Sequence, residues 1–172
     1  MGKIIGVCIS TRKGVPKDNV GSAYLEAGLG IKEDAHSGPW HRQISLLANE
    51  SIDKMRQKII NDHKGRCLPD NHGRQRGLPS LTEREYELQA GTFAENLTTE
   101  GIDLKNLPVG TELKVGESVR LKITQIGKEC HTKCAIFRKV GECIMPLEGV
   151  FAEVLESGTV QVGNIIEVRK TS

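Results

Sequence analysis

GTELKVGESVRLKI, residues 110–123, and GTVQVGNIIEV, residues 158–168, are built alike. Each opens Gly-Thr, runs through a short alternating segment to Val-Gly and one polar residue, and then alternates again. A period of two sends successive side chains to opposite faces of a strand, and glycine in the break supplies a turn. Each stretch is therefore expected to be a β-hairpin. Working outward, GVFAEVLES (149–157) reads as a further strand and HTKCAIFRKVG (131–141) as a short helix. KIIGVCIS (3–10) and QISLLA (43–48) are short apolar runs, expected as buried strands. NESIDKMRQKII (49–60) has Asn49 or Ser51 as N-cap and Ile52, Met55 and Ile59 on one helical face. Many short strands with glycine turns, and no repeated strand–helix–strand pattern, predict an antiparallel barrel or sandwich with a few short helices.

The 172 residues suit one domain, which can bury a core without staples. Lys plus Arg is 24 against 22 Asp plus Glu, a net charge of +2. That balance, with few aromatic residues, argues against a nucleic-acid binder. The N-terminal MGKIIGVCIS lacks the apolar core and cleavage site of a signal peptide. No stretch approaches the roughly 18 apolar residues of a membrane span. The protein is expected to be cytoplasmic, with no membrane partner. Residues 61–80, NDHKGRCLPDNHGRQRGLPS, read as a long basic loop with Lys64, Arg66, Arg74 and Arg76. It is either solvated charge or a device for capturing an anion.

Five cysteines, an odd number, favour free thiols over a disulfide framework. Cys130, Cys134 and Cys143 fall within fourteen residues, with His131 beside the first. Cys130 is expected between a strand and a helix, flanked by Lys128 and Lys133. Positive surroundings of that kind favour thiolate, which carries sulfur or binds soft metals. The alternative is a packed structural cysteine. Cys134, a helical turn further on, resolves an oxidised Cys130 or simply packs. Cys143 and Cys8 read as packing, and the sequence assigns Cys67 no role. In the loop after residue 28, Asp34, His36, His41 and Arg42 form a polar set able to bind a charged ligand. Glu95 and Asn96 follow the turn at Gly91, where capping is the plainer role.

Four segments carry a family resemblance. GLGIKEDAHSGPWHRQISLL (28–47) is similar to a Gly-Asp-x-His-x-Gly stretch followed by Arg-Gln and an apolar strand, with Glu33 in place of the first glycine. AGTFAENLTTEGIDLKNLPVGTELKVG (90–116) is similar to a Gly-x-x-x-Glu-Asn-Leu segment. ITQIGKECHTKC (123–134) sets Cys130 at a characteristic cysteine. PLEGVFAEVLESG (146–158) matches the strand after it, with Leu147 where arginine is frequent. Together, in this order, they resemble the MOSC domain, the C-terminal domain of molybdenum cofactor sulfurase, in its stand-alone bacterial form.

The resemblance implies a β-barrel like that of the pyruvate kinase barrel domain, and a role in handling the molybdenum cofactor or its sulfur. Cys130 becomes the candidate catalytic residue and metal ligand. Asp34, His36, His41, Arg42, Glu95, Asn96, Lys133 and Arg138 become the candidate binding set for molybdopterin. The implied partners are the cofactor and its biosynthetic or sulfurating proteins. Pyridoxal phosphate belongs to a separate sulfurase domain and is not expected on this chain. Molybdenum-dependent oxidoreductase and sulfur-transfer protein stay open. So do a small structural zinc module on Cys130, His131, Cys134 and Cys143, and a redox thiol switch.

Overall fold

Gly2–Ile9 form strand β1, whose neighbours close the fold; the computed structural model describes residues 1–66, 88–130 and 134–169. Next come β2 (Asp18–Asn19), β3 (Ser22–Glu26), β4 (Gly30–Ile31) and β5 (Ile44–Ala48). Helix α1 (Asn49–Arg66) follows, then β6 (Leu97–Glu100), a 3-10 turn at Leu104–Asn106, β7 (Glu112–Val115) and β8 (Val119–Ile126). The C-terminal part adds α2 (Ala135–Val140), α3 (Met145–Glu148), β9 (Val150–Glu156), β10 (Gly158–Gln161) and β11 (Ile165–Arg169).

Seven strands close in the order β1–β11–β7–β8–β9–β5–β6 and back to β1. Closure leaves no sheet edge among the seven. Leu46, Leu97, Leu113, Leu121 and Ile123 fill the interior, each fully buried. A second sheet, β10–β3–β4, adds Leu25, Ile31 and Val160 to the same core. β5 explains its unbroken apolar run, for it is buried on both faces. Ile44 and Leu46 point into the barrel core, while Leu47 joins a second cluster with Ile52, Met55, Phe93, Ile136, Met145 and Phe151. That second cluster seats the three helices against the barrel wall.

The sequence expectation of an antiparallel barrel needs one correction: β5 and β6 pair in parallel. The chain leaves β5 through α1 and returns in the same direction, which only a crossover connection allows. The first Gly-Thr stretch is a hairpin, β7 against β8, but the second is not. β10 pairs with β3, and β11 with β7 and β1. The turn between them spends its hydrogen bonds elsewhere: Gly163 donates to the Ile4 carbonyl, and the Asn164 carbonyl accepts from Ile4. Helix α1 also runs further than expected, through Asn61–Arg66, into the stretch read as a basic loop. The rest of that loop, with Cys67, Arg74 and Arg76, lies outside the described residues. No helix among the described residues is long and apolar enough to cross a membrane.

Candidate functional site

Ser45 and Phe151 are cross-strand partners on β5 and β9, one position away from residues that fill the barrel. Their side chains therefore face outward, and against them lies a cavity of about 310 Å³. Its far walls come from the loop after β1 (Lys13, Gly14), the loop before β5 (His36, Trp40, Arg42) and the turn before β6 (Phe93, Ala94, Asn96). The segment after β8 closes it with Lys128, Glu129 and Cys130, and α2 and α3 add Cys134, Ile136, Cys143 and Met145. The pocket is thus outside the barrel, on its wall.

Of the residues singled out from the sequence, Cys130, His36, Arg42 and Asn96 meet in this cavity, and Cys134 and Cys143 join them. Cys130 is exposed, and the other two thiols are half-buried. Cys130 lies between β8 and α2, as expected, but the residue in the N-cap position of α2 is Cys134, with the helix starting at Ala135. Burial pushes the Cys143 thiol up, and its electrostatic neighbours include Cys134 and Cys130. Among the described residues, no group of three or more His, Cys, Asp and Glu is placed to hold a metal ion. His131 and Lys133 lie outside those residues.

Arg42 is held by aromatic rings. Its guanidinium carbon sits 4.8 Å from the Trp40 ring centre and 5.7 Å from that of Phe151. Its Nε is buried without a hydrogen-bond acceptor. Lys13 Nζ lies 5.9 Å from the centre of the same Trp40 ring, so the indole gathers two cations. Trp40 in turn donates its Nε1–H to the His36 carbonyl at 2.8 Å, which fixes the loop.

Asp34 and Glu95 stand behind the cavity rather than in its lining. The Asp34 carboxylate receives Lys17 Nζ at 2.7 and 2.6 Å, the Ser10 N–H at 3.1 Å and the His36 N–H at 3.0 Å. His36 Nδ1 is 3.3 Å from the same carboxylate. Burial pushes Asp34 up, but the hydrogen bonds from His36 and the Lys17 charge outweigh it and hold the carboxyl well below the usual range. Glu95 is fully buried, and burial raises it. It accepts from the Gly91 N–H at 2.6 Å, the Phe93 N–H at 3.1 Å and the Thr98 hydroxyl at 2.8 Å. It pins the turn that forms one wall. Asn96 touches the cavity, but its amide ties strands together, accepting from Ser45 and donating to the Cys8 carbonyl at 3.2 Å.

His41 points elsewhere, bonded to Gln125 at 3.0 Å beside a separate surface depression. Arg138 is exposed on α2 and does not line the cavity. Sequence reasoning missed Trp40, Lys13 and the aromatic walls Phe93 and Phe151. The available signals were a single tryptophan next to Pro39 in a polar loop, and Arg-Lys-Gly directly after a buried strand.

A closed seven-strand mixed barrel, with a thiol-lined cavity between its wall and two short helices, defines a β-barrel class with an external pocket. Residues 33–167 match the family model described as MOSC domain. The chain belongs to the MOSC domain family. Its fold is similar to the YuaD protein of Bacillus subtilis, at 18% identity and a TM-score of 0.69, over 99% of this chain and 97% of that one. YiiM of Escherichia coli is similar at 17% identity and a TM-score of 0.64, over 100% and 71% of the two chains. YiiM of Geobacillus stearothermophilus is similar at 15% and 0.57, over 98% and 73%. No match was found among curated proteins.

Proposed function

We propose that this protein handles the molybdenum cofactor or its sulfur, with Cys130 as metal ligand or persulfide carrier. The observation that carries the reading is one cavity lined, among the described residues, by an exposed thiol, three cations and an apolar floor. The donor set fits the group. A thiolate is a soft ligand for molybdenum and an acceptor for sulfane sulfur. Arg42, Lys13 and Lys128 would hold a phosphate, and the unpartnered Arg42 Nε offers a buried donor that an incoming oxygen would satisfy. Phe93, Phe151 and Met145 would cover the face of a pterin ring. When bound, the cofactor supplies two-electron redox chemistry at its metal. The residues here bind, orient and exclude water around it. Biosynthetic or sulfurating proteins are the partners this reading implies.

The test uses protein purified from a molybdenum-replete host. Bound molybdenum, pterin and sulfane sulfur are compared between wild type and Cys130→Ser. We expect the substitution to keep the fold and abolish retention of metal or sulfur. Timed iodoacetamide labelling on the same sample should modify Cys130 faster than Cys8. Burial pushes the Cys8 thiol up to about 12, and a buried thiol is a poor nucleophile. Equal labelling of the two, with unchanged metal and sulfur, would make Cys130 structural and end the reading.

A further inference from the structure

The cavity couples a thiol to an oxyanion site, and that pairing names a substrate class. Among the described residues, Lys13, Arg42 and Lys128 face it against a single carboxylate, Glu129. Arg42 has no carboxylate partner among the described residues, and its Nε is buried without an acceptor. Trp40 and Phe151 both hold the guanidinium within cation–π range, which restricts it before any ligand arrives. A restricted, planar fork of donors suits a small oxyanion, and part of the cost of ordering it is already met. Cys130 opens onto the same space.

We propose that the cavity accepts a small sulfane-sulfur donor ending in an oxyanion, thiosulfate being the simplest, and that Cys130 takes its outer sulfur. The inference rests on the reading of Cys130 as a sulfur acceptor and adds the donor. Arg42 and the two lysines hold the sulfonate end. The Cys130 thiolate attacks the outer sulfur, forming a new S–S bond. The bond between the outer and sulfonate sulfurs breaks, and its electron pair leaves with sulfite. The thiol proton passes to water, and the product is a Cys130 persulfide anion. The donor carries the needed oxidation level, so no separate oxidant enters. The cations stabilise the charge that gathers on the departing sulfite.

The experiment incubates reduced full-length protein with thiosulfate or with a neutral organic trisulfide. Sulfite release is measured, together with the gain of one sulfur atom on the peptide bearing Cys130. We expect thiosulfate to load Cys130 and release one equivalent of sulfite. Arg42→Gln should lower the ratio of thiosulfate to trisulfide loading rates by roughly tenfold or more, the loss of a charge-assisted hydrogen bond. Lys13→Gln, on an exposed loop, should lower the same ratio and serves if the arginine variant fails to fold. Loading by trisulfide but not thiosulfate would overturn the donor assignment and leave Cys130 as a sulfur acceptor. Loading by neither would overturn both readings. An unchanged ratio in both variants would remove the oxyanion site.

Discussion

The buried pair Lys17–Asp34 shows how single residues serve the pocket without touching it. Both side chains are almost wholly shielded, and Asp34 also binds the backbone of Ser10 and His36. His36, which does line the cavity, is therefore positioned by a carboxylate that does not. A buried ion is costly when its partner is removed, by about 3–5 kcal/mol. Lys17→Met should lose stability on that order at neutral pH, measured by urea unfolding. Lys17→Met combined with Asp34→Leu should recover much of the loss, since no charge is then left alone. A cost below about 1 kcal/mol in the single variant would mean that the pair is irrelevant to folding. The pH dependence has a definite sign. Asp34 has a folded pKa held below its unfolded value of 3.8, so its contribution is full above that value. The contribution drains away as the pH falls through 3.8 toward the folded value. Lys17→Met should flatten this acid limb.

At the scale of an element, the turn from Gly91 to Glu95 decides the shape of one cavity wall. Gly91 has φ of +89°, and a Cβ there would lie 2.1 Å from the Lys17 carbonyl oxygen. No side chain fits, because the Lys17 N–H also donates to the Gly91 carbonyl at 2.8 Å. Ala94 has φ of +64° and is the one non-glycine residue with positive φ among those described. Its strain is held by the Glu95 carboxylate, which anchors the N–H groups of Gly91 and Phe93. Gly91→Ala is expected to cost about 2 kcal/mol or more, and Ala94→Gly to stabilise by up to about 1 kcal/mol. For a chain of this size each kcal/mol moves the melting temperature by about 2–4 °C. Calorimetry on the two variants reads opposite shifts. A shift of the same sign in both would mean the turn does not store this strain.

For the whole molecule, the C-terminal strand β11 is one link that closes the barrel. It bonds to β7 on one side and to β1 on the other. Deleting residues 164–172 would leave both neighbours as open edges, which are templates for aggregation. The shortened chain is expected to lose its cooperative thermal transition and to elute as aggregate in size-exclusion chromatography. A monomeric truncation with a sharp transition would show that the barrel stands without closure.

Local pattern carried a great deal. Alternation and β-branched runs located β1, β5, β7, β8 and β9, because a half-buried strand must alternate and a doubly buried one must be apolar throughout. The spacing of Ile52, Met55 and Ile59 located α1, and all three pack in the second cluster. Cys130, His36 and Arg42 were legible as chemistry, since thiol, imidazole and guanidinium are chosen residue types in polar loops. Pairing was not legible. Whether GTVQVGNIIEV folds back on itself depends on β1 and β3, which pair with it and lie more than a hundred residues away. Nor could spacing say that Asp34 and Glu95 face inward while Arg42 faces the cavity, or that Trp40 lies within cation–π range of Arg42. Sequence determined which segments are strands and which groups can react, because those follow from side-chain chemistry and local periodicity. Only the tertiary structure decided which strands pair and which reactive groups share one cavity, because those rest on contacts between distant residues.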